Sequence, residues 1–218
     1  DLMEEFRPLM YVYGHSHVYR EEFFTRDMSE GIVYLNVASM TKNETRNYNN
    51  VAIDNNGLST APCTIGVWPA VIITAPLDEN LGMRNNPYTS DIPDLTGSTK
   101  PIRALVFDKA AVSRVDYRMY KILDSVGDVV GGAVAQASGQ VEDEAMWFPM
   151  TPVEPSHPYY PYLWTAECPI PLEGGDYTIE VRATGSSTQR DSVPTSFPAQ
   201  SVNGAGSCFI TTATPNGQ

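Results

Sequence analysis

Gly14-His15-Ser16-His17, at the end of the apolar run Leu9–Tyr13, is the segment of this chain best equipped for chemistry. Residues i and i+2 of an extended segment point to the same side, so the two imidazoles can reach one metal or a pair of metals. Gly14 is expected to let the backbone turn tightly beneath them. Neutral imidazole is a ligand for Zn, Mn, Fe or Ni. His15 and His17 are two of the 3 histidines; the other, His157, falls in the Pro-rich stretch Pro155–Pro161 and reads as structural or merely exposed. Cys63, Cys168 and Cys208 form no C-x-x-C pair and allow at most one disulfide. Asn43-Glu44-Thr45 matches a glycosylation acceptor, a pattern short enough to arise by chance.

The elements that must position these groups read as strands. Leu9–Tyr13 is a short, fully apolar run of the kind that lies inside a sheet with neighbours on both sides. Val18–Glu30 is polar apart from Phe23-Phe24 and predicts a loop or a short helical turn. Gly31–Met40 predicts the next strand, and Thr41–Asn50 is polar. Val51–Asp54 and Leu58–Cys63 flank Asn55-Asn56-Gly57, whose Asn-Gly step tolerates the positive φ of a tight hairpin turn. Ala70–Thr74 opens a second module near Trp68-Pro69. Met83–Lys100 is rich in turn formers and predicts a long exposed loop, after which Ile102–Phe107 resumes as a strand. Alternation then becomes clear: Val115, Tyr117 and Met119 predict a buried face, with Arg114, Asp116 and Arg118 on a wet one. Asp176–Ala183 repeats it, with Tyr177, Ile179, Val181 and Ala183 inward and Thr178, Glu180 and Arg182 outward. Val126–Gly139 is a hairpin candidate, and Met146-Trp147-Phe148 and Tyr159–Ala166 are further short segments. No long amphipathic helix is visible. About seven short strands over residues 68–198 predict an immunoglobulin-like β-sandwich.

Charge and composition narrow the partners. A chain of 218 residues with a formal charge of −12 repels phosphate backbones and anionic headgroups, which argues against nucleic acid and membrane surfaces. No apolar run approaches the length of a membrane span. Charged residues make up only 18% of the chain, below the roughly 25% of an average soluble domain. Their place is taken by Pro, Gly, Tyr, Ser, Thr and Asn, as in secreted β-proteins. Asp1 opens no signal peptide, and the apolar run so near the start predicts a chain that begins inside a longer protein.

Leu9–His17 (LMYVYGHSH) followed by Ile32–Ser39 (IVYLNVAS) resembles the end of a calcineurin-like metallophosphoesterase, in which a strand delivers G-H-x-H and the next strand reads like FLNVGS. The resemblance implies two divalent metal ions (Mn, Fe or Zn) with His15 and His17 as ligands, one to each metal. It also implies a phosphoester substrate attacked by a metal-activated water. Val51–Leu58 (VAIDNNGL) and Trp68–Pro76 (WPAVIITAP) are similar to members whose catalytic domain runs into an immunoglobulin-like domain. Gly206–Ala213 (GSCFITTA) is similar to the GSCFIATA tail of many exported bacterial proteins, which implies a secreted or cell-surface location. The domains expected on this basis are a phosphoesterase remnant at 1–67, an immunoglobulin-like sandwich at 68–198 and a flexible tail at 199–218.

The family's other motifs, D-x-H, G-D, G-N-H-D/E and an isolated His, all come before G-H-x-H, and none precedes Gly14 here. No later residue can be assigned the bridging carboxylate from its spacing. The catalytic residues therefore stay unassigned. The expectation is a C-terminal part of a secreted phosphoesterase that is inactive by itself, binds a divalent metal only weakly through His15 and His17 on its own, and has the missing N-terminal part of the catalytic domain as partner. The alternative is a non-enzymatic extracellular β-sandwich, an adhesion or carbohydrate-binding module. There Tyr159, Tyr160, Tyr162 and Trp164 could stack on sugars, although such aromatics more often fill a core or cover a loop.

Overall fold

The computed structural model describes residues 5–6, 8, 10–14, 23–26, 32–37, 46–55, 57–78, 99–121, 147–171 and 174–197. The chain is mainly β, in several sheets. Its strands are β1 (Met10–Tyr13), β2 (Phe23–Arg26), β3 (Val33–Asn36), β4 (Asn47–Asp54), β5 (Gly57–Thr64), β6 (Ala70–Ala75), β7 (Thr99–Phe107), β8 (Arg114–Lys121), β9 (Phe148–Pro149), β10 (Thr151–Pro152), β11 (Leu163–Pro169), β12 (Gly175–Thr184) and β13 (Thr188–Phe197).

Two antiparallel four-stranded sheets, ordered β10-β11-β7-β6 and β13-β12-β8-β9, share one core. Val71, Ile73, Ile102, Ala104 and Val106 from the first meet Val115, Tyr117, Ile179, Val181, Ala183, Val193 and Phe197 from the second. Side chains alternate across a strand, so the odd residues of β8 and β12 fall on one face, as their pattern predicts. Burying each Val or Ile contributes about 1.5–3 kcal/mol, which makes this face the main source of stability. Met119 is only half-buried at its edge.

The expected wet face of β8 and β12 is wet at Arg114 and buried over much of the rest. Asp116, Glu180 and Arg182 are 0%, 8% and 6% exposed. Trp147, 5% exposed, lies over them with the guanidinium groups of Arg182, Arg118 and Arg190 at 4.2, 4.6 and 5.5 Å from its ring centroid. Each carboxylate is shared by two arginines: Arg118 pairs with Glu180 at 2.6 Å, Arg190 with Glu180 at 3.4 Å, Arg182 with Asp116 at 3.2 Å and Arg114 with Asp116 at 2.8 Å. A polar strand face is thus buried by pairing its charges beneath an indole, and a polarity pattern alone cannot distinguish that from a solvated face.

Strand β6 is buried at every position although it is an edge. One face looks into the shared core. On the other, Ile72 meets Ala52 and Ala61 of the β4–β5 hairpin, with Leu105 and Phe107 alongside. Asp54 at the end of β4 locks the hairpin down: it accepts from Arg103 Nε at 2.6 Å, Arg103 Nη2 at 2.9 Å and Thr74 Oγ1 at 2.8 Å. Bidentate pairing of this kind fixes geometry as well as charge. The free edge is closed where Ile73 N–H donates to Asp191 Oδ2 at 2.7 Å, which blocks strand addition there. The hairpin turns one residue earlier than an Asn-Gly turn would: Asp54 pairs with Gly57, and Asn55 carries the positive φ of 53°.

Other expectations change in detail. Phe23–Arg26, expected in a loop or helical turn, is a strand antiparallel to β3; two adjacent Phe in so short a segment gave no alternation to read. Thr99 and Lys100 belong to β7 and not to the preceding loop. Tyr159–Tyr162 are turn, and the strand starts at Leu163. β13 was not anticipated, because its polar Thr, Gln, Arg, Asp and Ser mask the inward Val193, Thr195 and Phe197. The Val126–Gly139 hairpin, residues 79–98 and the 199–218 tail lie outside the described residues. Cys63 Sγ accepts from Asn50 Nδ2 at 3.1 Å, Cys168 is buried, and no disulfide joins the two. Among the described residues no helix is long and apolar enough to cross a membrane.

Candidate functional site

Strand β1 leads directly into the histidine motif. It runs parallel to β3, with Met10 opposite Val33, Tyr11 opposite Tyr34, Val12 opposite Leu35 and Tyr13 opposite Asn36. Val37 N–H donates to Tyr13 O at 2.9 Å, which carries the pairing to the last residue before Gly14. β3 sits in the middle, because β2 pairs antiparallel on its far side. Parallel strands present ligand sites at their carboxyl ends, and Gly14 is at that end of β1.

Gly14 itself is ordinary. Its φ is outside the left-handed region, and a Cβ placed there would lie 3.8 Å from Val37 Cγ2, a normal contact. The expected tight turn on Gly14 is therefore not required by its conformation. His15 and His17 lie outside the described residues. Beside the motif, Asn36 is 3% exposed, and its Oδ1 has no hydrogen-bond partner among the described residues. A buried carboxamide oxygen left unpaired costs roughly 1–3 kcal/mol, and Asn36 stands opposite Tyr13, the residue before Gly14. Among the described residues no group of three or more His, Cys, Asp or Glu could hold a metal ion. The imidazoles alone do not complete a dinuclear donor set, and the described residues do not supply the remaining ligands.

His157 is far from the motif in sequence and belongs to the aromatic turn before β11. Its Nδ1 accepts from Tyr159 N–H at 3.1 Å, and the two rings pack with centroids 5.5 Å apart. Tyr159, Tyr160 and Tyr162 are 49%, 43% and 46% exposed, so of the two structural readings, filling a core or covering a loop, the first does not hold for them. Trp164, two residues on, does pack against the core.

The remaining perturbed groups are structural. Burial pushes the Cys168 thiol up to about 11. Burial, reinforced by Cys168, pushes the Tyr117 phenol up to about 12 while its hydroxyl donates to Glu167 O at 3.1 Å. Arg190 is held below the usual guanidinium range by burial and by the charge of Arg118 in the Trp147 cluster. These groups face core or paired charge, so none is poised as an acid, base or nucleophile. Comparison with known proteins returns no match: no family model, no curated protein and no solved structure matches the chain.

Proposed function

We propose that this chain is the C-terminal part of a secreted, metal-dependent phosphoesterase, in which His15 and His17 each ligate one ion of a dinuclear centre and the two facing sheets form an immunoglobulin-like accessory domain. The observation that carries the reading is the character of β1. It pairs on one side only among the described residues, yet Tyr11 and Val12, which point to opposite faces, are 48% and 49% exposed. A parallel strand that is apolar on both faces belongs inside a sheet covered on both sides, and here it ends where two imidazoles begin. Further strands and the remaining ligands, including the bridging carboxylate, come in this reading from polypeptide preceding the chain. When bound, the ions would supply Lewis acidity toward the phosphoester and a water of lowered pKa. The chain's own part is to hold two neutral imidazoles at the carboxyl end of β1, with Asn36 Oδ1 offering an acceptor nearby.

The test is hydrolysis of bis(p-nitrophenyl) phosphate with Mn by the gene product that includes the upstream sequence. The expected result is metal-dependent turnover that falls by about a thousandfold in His15→Ala and His17→Ala, with none from the 218-residue chain alone. An upstream sequence without D-x-H and G-N-H-D/E, or turnover unaffected by both substitutions, would overturn the reading.

A further inference from the structure

We infer that the turn leading into β11 is a binding platform for a neutral pyranose glycan, with Tyr159, Tyr160 and Tyr162 as its stacking surface. The inference is independent of the metal site, and all its residues are described. Three tyrosines within four positions each leave between 43% and 49% of their surface open. Rings on a loose loop would have to be ordered on binding; here the backbone that carries them is already tied down. His157 N–H donates to Glu154 O at 2.8 Å, Tyr160 N–H to His157 O at 3.0 Å, Tyr162 N–H to Tyr159 O at 2.8 Å and Leu163 N–H to Tyr159 O at 3.0 Å. The base is tied to the sheet by Val106 N–H to Tyr162 O at 2.8 Å and Val153 N–H to Leu163 O at 3.0 Å, and Leu163 is fully buried. His157 buttresses the Tyr159 ring, and Phe107 buttresses Tyr162 with centroids 5.2 Å apart. Pre-ordered rings lower the entropy that binding must overcome.

The chemistry of the rings selects the ligand. A pyranose carries C–H groups on its flat face, which the negative face of an aromatic ring attracts, and hydroxyls around its rim, which phenol groups can meet. His157 adds a donor: because Nδ1 accepts from Tyr159 N–H, the neutral ring carries its hydrogen on Nε2. Nucleobases also stack on aromatics, but the formal charge of −12 and the exposed Glu154 disfavour a phosphate polymer and an acidic glycan alike. A protein partner would draw its affinity from anchors sealed in desolvated pockets, whereas here the open rings carry hydroxyls, with Pro158 before them and Pro161 between Tyr160 and Tyr162.

Affinity electrophoresis of the intact chain in gels holding barley β-glucan, konjac glucomannan or amylopectin tests this. At least one of these neutral polysaccharides should retard the protein. Retardation should weaken about tenfold or more on each of Tyr159→Ala, Tyr160→Ala and Tyr162→Ala, the scale of single-ring stacking losses, and disappear in the triple variant. The triple Tyr→Phe variant, which keeps the π faces, should retain most of it. An unchanged melting temperature and circular dichroism spectrum would show the variants folded. No retardation in any of the three gels, retention by polygalacturonate alone, or equal retardation of the triple Ala variant would overturn the proposal.

Discussion

At the residue scale, burial and pairing decide what each polar group does. Cys168 and Tyr117 sit in the shared core as neutral donors, and each would lose its place on ionising. The unfolded chain releases the thiol proton near 9.0, whereas the folded chain holds it to about 11; the phenol moves from 10.0 to about 12. The folded state therefore binds more protons across that window, so these two groups make stability independent of pH below about 9 and decreasing above it. Thermal melts between pH 7 and pH 11 should show the melting temperature falling from about pH 9, with a shallower fall in Cys168→Ala. An alkaline profile unchanged by that substitution would assign the decline to other groups. The sequence supplied the position of Tyr117 on an inward face but not that of Cys168, nor the sign or size of either shift; that of Tyr117 depends on neighbours from another strand, Cys168 and Glu167.

At the element scale, period-two alternation in β8 and β12 revealed the inward face because apolar residues have one stable place to go. The outward face was misread because Asp116, Glu180 and Arg182 look alike in sequence whether solvated or paired under a ring. Trp147 is the element that converts one state into the other. Trp147→Ala would open the sheet face and bring water to Arg118, Arg182 and Arg190 and to the two carboxylates. It should cost about 3–5 kcal/mol, the range for deleting a buried Trp, measured by urea unfolding. A loss below about 1 kcal/mol would mean that the ion pairs hold this face by themselves. β2 and β13 were missed for a related reason: short or polar strands owe their state to the partner across the ladder, here β3 and β12, and carry little signal of their own.

At the scale of the whole molecule, the two-sheet unit and the β4–β5 hairpin are bound by the Asp54–Arg103 pair and by the apolar layer of Ala52, Ala61 and Ile72. The β1-β3-β2 sheet presents the motif on which the functional proposal depends. The motif was legible only as residue types and spacing; its ligand role stays a proposal, since His15 and His17 lie outside the described residues. The turn expected on Gly14 was not, because backbone conformation follows from the β1–β3 pairing and not from the glycine. The most direct measurement of the central claim uses the 3 histidines as each other's controls. In a chain labelled at its imidazoles, substoichiometric Mn at pH 7.5 should broaden the NMR signals of His15 and His17 and spare His157. The effect should fade as pH drops below about 6.5, where protonation removes the ligand lone pair. Equal broadening of all three signals, broadening confined to His157, or none at all would contradict the account.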